Sequence, residues 1–166
     1  MILNLIGDGK GKSTSAYGTV LRATNKHKIL IIQFLKDSSK ENEILSKFDS
    51  VQTYNFGLKE FYFPNKNKKE YQEIIKKGWK KFKEIKDDYD FIVLDELNLV
   101  VNFGFLEVEE VIDEIRDFKL SKQKHLIITG QVSNVRLKEL SDTISEVNKI
   151  KHHYDRLGSP IEGLDF

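Results

Sequence analysis

The chain has 166 residues, is 39% hydrophobic, and balances 27 basic against 26 acidic side chains for a formal charge of +1. That length suits one globular domain (residues 1–166) with a substantial core, and the near-neutral balance argues against nucleic acid or an acidic membrane surface as a partner. The lack of cysteine excludes disulfides, cysteine-bound metal and thiol catalysis. No apolar run approaches the ~18 residues that span a bilayer, and the first begins at Ile2, leaving no room for a signal peptide. The expectation is a cytoplasmic protein.

In chain order, Ile2–Ile6 predicts a strand and Lys12–Thr24 a helix with Ala16, Tyr17, Val20, Leu21 and Thr24 on one side. Lys28–Phe34 predicts a second strand and Val51–Tyr54 a weaker one. The stretch Asn55–Lys68 is the longest without pattern, and long loops in compact domains often carry function. Lys69–Lys86 sets Tyr71, Ile74, Ile75, Trp79, Phe82 and Ile85 on an apolar stripe, its lysines reading as a solvated face because glutamates are interspersed. Phe91–Asp95 is a strand. Glu107–Phe118 is a helix through Val108, Val111, Ile112, Ile115 and Phe118, its early glutamates at the end where the helix dipole favours negative charge. His125–Thr129 and Thr143–Val147 complete the strands. The alternation predicts an α/β fold, a mostly parallel sheet flanked by helices, whose Ile/Val/Leu-rich strands are covered on both faces.

The stretch "IGDGKGKSTS" leads from the first strand into the first helix. A glycine turn there lets backbone N–H groups converge on an anion, beside the partial positive charge of the helix start. Gly7, Asp8, Gly9, Lys10, Gly11, Lys12, Ser13 and Thr14 are the candidate phosphate cradle: Lys12 supplies a mobile charge and Ser13 a hydroxyl able to ligate Mg²⁺. The spacing is one residue shorter than the usual G-x-x-x-x-G-K-[ST], with Ile6 where that pattern wants glycine and the nearest glycine at Gly7. A dinucleotide fingerprint fails, because Lys12 stands where the third glycine belongs and the second strand carries Gln33 rather than an acidic residue. "DFIVLDEL" places Asp95 and Glu96 after a buried run, where carboxylates can hold Mg²⁺ directly or through water. His27 and His125, at the starts of strands, read as structural. The residues themselves imply Mg²⁺ with a nucleoside triphosphate. An ordinary P-loop kinase or NTPase that transfers the terminal phosphoryl, and a non-catalytic nucleotide-binding module, both remain open.

The segments "GDGKGKSTSAYGTVLRA", "IIQFLK", "YDFIVLDELN", "LIITG" and "VNKIKHHYDRLGSPIEGLDF" come in the order found in ATP:corrinoid adenosyltransferases, which this chain resembles over nearly its whole length. The resemblance implies a RecA-like P-loop fold and a reaction in which a Co(I) corrinoid attacks the 5′ carbon of ATP. Adenosylcorrinoid and inorganic triphosphate are the products, in adenosylcobalamin synthesis or salvage. ATP and a reduced corrinoid are then the substrates, Mg²⁺ the cofactor, a reductase the source of Co(I), and a homodimer the common assembly. The short loop is explained if it must hold the whole triphosphate as a leaving group. In the family, loop aromatics fill the lower corrin face and favour Co(I). Phe61 is the best match for that wedge, then Tyr62 or Phe63, with Phe56 just upstream; packing of these rings into the core is the alternative. The Gly-Phe-x-Trp pattern of the better-known bacterial members is missing here. Arg22 matches a family arginine on the first helix, with a nucleotide contact and a plain helix-surface charge both open. Lys151, His152 and Asp155 match the terminal signature, with structural and ligand-contact roles both open for His152. Gln131 stands where many relatives have arginine, and the N-terminal extension of several members is absent, so a phosphate contact and closure of the site are expected to differ.

Overall fold

In the computed structural model, which describes residues 1–164, the strands are β1 (Ile2–Ile6), β2 (Ile29–Phe34), β3 (Val51–Phe56), β4 (Phe91–Asp95), β5 (His125–Thr129) and β6 (Thr143–Glu146). They form one sheet in the order β3-β2-β4-β5-β1-β6 with every neighbouring pair parallel. The helices are α1 (Lys12–Ala23), α2 (Lys40–Leu45), α3 (Lys68–Ile85), α4 (Leu97–Asn102), α5 (Val108–Ile115), α6 (Val135–Leu140) and α7 (Tyr154–Leu157).

Strand side chains alternate between faces, and both faces are covered. Ile29, Ile31, Val93 and Ile127 pack with Ala16, Tyr17 and Val20 of α1 and Leu45 of α2. Leu30, Ile32, Ile92, Leu94, Leu126 and Ile128 pack with Tyr71, Ile75, Trp79 and Phe82 of α3 and with α4, α5 and Leu137 of α6. Ligands of such sheets collect at the carboxyl ends of the strands, and here the ends of β2 and β4 lie in register, with Gln33 opposite Asp95.

Several expectations need correction. Leu21 is exposed rather than on the packed face of α1. The edge strand β6 is exposed at all its residues, because β1 covers only one of its sides. The helix expected over Glu107–Phe118 is α5 followed by a 3-10 turn at Arg116–Phe118. β3 runs on to Phe56, which shortens the irregular stretch. The six-residue helices α2, α4 and α6 are too short for an apolar period to show. Start signals for two of them are nevertheless present: Ser39 Oγ accepts from Asn42 N at 3.2 Å, and Asn134 Oδ1 from Arg136 N at 2.9 Å, each an N-cap.

Candidate functional site

The glycine-rich loop is shaped by the ends of β5 and β6. Gly7, with φ 107°, donates its N–H to Gln131 O at 2.9 Å, and Gly9 donates to Val147 O at 2.7 Å. A Cβ on Gly9 would lie 2.7 Å from that same Val147 oxygen, so only glycine lets the loop press this close. Asp8 also turns this way, its Oδ1 accepting from Lys149 N at 2.8 Å. The short spacing thus has a physical basis: the first part of the loop is tied to the sheet, and the anion-facing part begins at Gly9. At Gly11 the chain takes φ 115° and enters α1 without a side-chain cap, the helical ladder starting at Ser15 N–Gly11 O, 2.8 Å. The amides just before Ser15 have no partner within the helix and are free to serve an anion.

Gly9, Lys10, Gly11, Lys12, Ser13 and Thr14 line a cavity of about 470 Å³ together with Lys36, Phe61 and Glu96, a size ordinary for a small-molecule site. Asp95 lies behind the lining residues Ser13, Tyr17 and Gln33, each of which bonds to it. This carboxylate is fully buried and accepts from Ser13 Oγ at 2.7 Å, Thr129 Oγ1 at 2.6 Å, Gln33 Nε2 at 2.9 Å and Tyr17 OH at 3.1 Å. Burial pushes its pKa up, but Lys36 and these hydrogen bonds pull harder and hold it below the usual carboxylate range. The Tyr17 phenol is pushed well up by burial and by Asp95, so it stays a donor. Glu96 follows in the left-handed region, φ 64°, and its N–H donates to Thr129 Oγ1 at 2.9 Å. Such backbone costs about 1–3 kcal/mol in a non-glycine residue, and it turns the Glu96 side chain into the cavity wall beside Asp95. Burial and then the Asp95 charge raise the Glu96 pKa, against Lys36 and Lys12. Lys12 folds over the loop, Nζ donating to Gly9 O at 2.7 Å.

These donors suit a hard divalent cation. Glu96 Oε2 is buried with no partner among the described residues, and a hydroxyl and two carboxylates converge beside it. Mg²⁺ asks for a few such oxygens, with phosphate and water completing its shell. No group of three or more His, Cys, Asp or Glu side chains is placed to hold a metal among the described residues.

The backbone of the aromatic loop is pinned. Asn67 Nδ2 donates to Phe61 O at 2.9 Å, Phe63 N to Asn67 Oδ1 at 2.9 Å, and Tyr71 OH to Glu60 O at 2.6 Å. The clamp leaves the Phe61 ring 81% exposed at the cavity.

Other candidates lie elsewhere. Gly7 and Asp8 face the sheet rather than the cavity, for the reasons above. Arg22 is exposed in the last turn of α1, far along the helix from Ser13, and does not line the cavity. Tyr62 packs against Phe103 at 4.8 Å, Phe105 at 4.9 Å and Tyr71 at 5.5 Å between ring centroids; the core took this ring. Phe56 packs beside Gly78 of α3, while Phe63 is exposed away from the cavity lining. Gln131 contributes its carbonyl to Gly7 and leaves its side chain exposed. His27 and His125 flank Phe91, at 5.1 and 4.5 Å. His152 Nδ1 accepts from Tyr154 N at 3.1 Å, Asp155 pairs with Lys149 at 3.1 Å, and Lys151 is exposed. Of the terminal signature, Asp165 and Phe166 lie outside the described residues. Sequence reasoning missed Thr129, Tyr17 and Lys36 and used Gln33 only as negative evidence; polar residues ending apolar strands ("IIQF", "LIIT") were the available signal.

A parallel sheet whose first strand feeds a glycine-rich loop into α1, with an acidic pair at the end of the buried strand β4, one strand removed from β1, defines a P-loop nucleotide-binding protein. The chain also matches ATP:corrinoid adenosyltransferase (BtuR/CobO/CobP) over residues 1–166, and it belongs to that family. It is similar to the corrinoid adenosyltransferase of Pseudomonas aeruginosa, at 28% identity over 165 residues covering 96% of this chain and 80% of that one. The Escherichia coli enzyme of the same name is 28% identical over 169 residues, covering 100% and 85%. Corrinoid adenosyltransferase CobA of Salmonella typhimurium is 29% identical over 171 residues, covering 100% and 85%. No helix among the described residues is long and apolar enough to cross a membrane.

Proposed function

We propose that the cavity holds ATP by its triphosphate and presents the ribose 5′ carbon to a reduced corrinoid, as the chain carries out the adenosyl transfer of its family. One observation carries this reading: the start of α1 at Gly11–Thr14, Lys12, Glu96 and the bare Phe61 ring all line one cavity, with Asp95 bonded to Ser13 behind it. In the reaction, Co(I) gives an electron pair to C5′, the C5′–O bond breaks, and that bond pair leaves with the triphosphate. The cobalt ends two units more oxidised.

The burden on the protein is then positioning and charge neutralisation. The loop amides and Lys12 stabilise the negative charge gathering on the departing triphosphate. Ser13, Asp95 and Glu96 would hold Mg²⁺, which neutralises phosphate charge when bound. Thr129, Gln33 and Tyr17 keep Asp95 ionised and aimed at Ser13. No side-chain nucleophile is needed, since Co(I) is itself one. Phe61 packs on the lower corrin face and excludes the water that would otherwise bind the metal.

A reductase that delivers Co(I) and a cytoplasmic setting belong to the proposal. So does a homodimer, the assembly that the family resemblance implies.

The test is an anaerobic mixture of protein, Mg-ATP and chemically reduced corrinoid followed by absorbance. The Co(I) spectrum gives way to that of an alkylcorrinoid if the reading holds. Steady ATP hydrolysis to ADP beside an unchanged corrin would instead favour an ordinary P-loop NTPase.

A further inference from the structure

Lys36 is absorbed by none of the roles above, yet its placement is unusually determined. Its Nζ lies 3.5 Å from Asp95 Oδ2 and 3.5 Å from Glu96 Oε1, bridging a fully buried carboxylate and one only 16% exposed. Its own side chain remains 41% exposed, on the wall of the cavity that also carries Lys12. The backbone around it is held at several points. Leu35, just before it, takes φ 63°, and its N–H donates to Phe56 O at 3.0 Å. Asp37 O, just after it, accepts from Asn55 Nδ2 at 3.0 Å, and Asn55 Oδ1 accepts from Asn42 Nδ2 at 2.9 Å. Gly57 passes so close that any Cβ there would collide with the Lys36 backbone.

We infer that Lys36 is a built-in counter-ion: in the nucleotide-free protein its ammonium occupies the place of the divalent cation between Asp95 and Glu96, and when the cation enters with a polyphosphate, Lys36 passes to the phosphate oxygens beside Lys12. The assignment rests on the reading of the cavity as a Mg²⁺-triphosphate site. Two adjacent buried carboxylates that are both ionised need positive charge beside them, and an ammonium and a divalent cation cannot share the gap between them. A long, flexible, half-exposed lysine stem on a fixed backbone can make the short move. The anchored backbone keeps the displaced charge inside the cavity, where the incoming triphosphate carries the compensating negative charge.

The test uses Mn²⁺ and inorganic triphosphate as probes, without corrinoid or ATP. Calorimetric titration of nucleotide-free Lys36→Met should show Mn²⁺ binding at least tenfold tighter than wild type, because the competing ammonium is gone. The same variant should bind triphosphate, in saturating Mn²⁺, at least tenfold more weakly. Lys36→Arg should stay near wild type in both. Unchanged or weaker Mn²⁺ binding by Lys36→Met overturns the counter-ion role, and unchanged triphosphate affinity overturns the transfer to phosphate.

Wild-type protein gives a second test that needs no variant to fold. Acetic anhydride labelling of Lys36, read by mass spectrometry, should rise with Mn²⁺ alone and fall again when triphosphate is added. Labelling indifferent to saturating Mn²⁺ contradicts the inference. Wild-type adenosyl transfer assayed in parallel separates the two readings: its failure with the Mn²⁺ competition intact strikes the functional proposal and leaves Lys36 standing.

Discussion

Asp95, behind the cavity wall, and Phe61, on it, live under opposite conditions. Asp95 has no exposed surface and receives hydrogen bonds from Ser13, Tyr17, Gln33 and Thr129. Phe61 is 81% exposed, and only its backbone is fixed, through Asn67. The nucleotide side is therefore organised before any ligand arrives, with its charges satisfied inside the protein. The aromatic side is a displayed ring on a clamped loop, which under the proposed function takes its packing from the second substrate. Damage to Asp95 should reach both stability and turnover, whereas damage to Phe61 should reach turnover alone.

The largest expected effect is on the nucleotide side. Lys12→Ala should lower adenosyl transfer on the order of 10²–10³-fold with an unchanged melting temperature, since the Lys12 ammonium bonds back to its own loop, at Gly9 O. Asp95→Ala should be as damaging to turnover and should also destabilise the protein by about 3–5 kcal/mol in denaturant unfolding, because a buried charge network loses its centre. Gly9→Ala comes next: the Cβ pressing on Val147 O should weaken Mg-ATP binding about tenfold and destabilise by about 1–3 kcal/mol, as overpacking does.

On the aromatic side, Tyr62→Ala should cost about 2–3 kcal/mol of stability through the lost ring contacts while leaving turnover from pre-formed Co(I) near wild type. Phe61→Ala should do the reverse. Its melting temperature stays put, and turnover from Co(II) with reductant falls about tenfold, well beyond any loss from pre-formed Co(I). Equal losses from the two cobalt states would remove the wedge role.

The smallest effect belongs to the far end of the sheet. Burial, with the N-terminal amine and His27, lowers the His125 pKa. The unfolded histidine, near its ordinary ~6.5, takes up its proton first as pH falls. Its contribution is therefore present above that value and lost as pH drops through it. His125→Phe, still packed on Phe91, should flatten this part of the stability–pH profile without changing ATP binding.

What could be read from the sequence follows the range of each interaction. The cradle was legible because its chemistry lies in consecutive residues, and Asp95–Glu96 because an apolar strand announces its own end. The contacts of Asp95 to Gln33 and Thr129 depend on β2 and β5 flanking β4, a strand order that no local pattern encodes. The glycine-rich turn puts Gly7 and Asp8 in the candidate cradle; their turn toward Gln131 and Lys149 depends on where β5 and β6 end. Tyr62 and Phe61 are neighbours of similar chemistry, and only the clamp by Asn67 decides which ring is core and which is displayed. Lys36 lay within a recognised segment but acquires meaning only across β2 and β4.

The central claim is that the loop grips the triphosphate as a leaving group, so that the bond from ribose carbon to oxygen is the one that breaks. ATP carrying ¹⁸O in the 5′ bridging position, turned over anaerobically with Co(I) corrinoid, tests this directly by mass spectrometry of the products. The account predicts the label in intact inorganic triphosphate and none on the adenosyl group. Products of ADP and phosphate, or a label retained on the nucleoside, would contradict it.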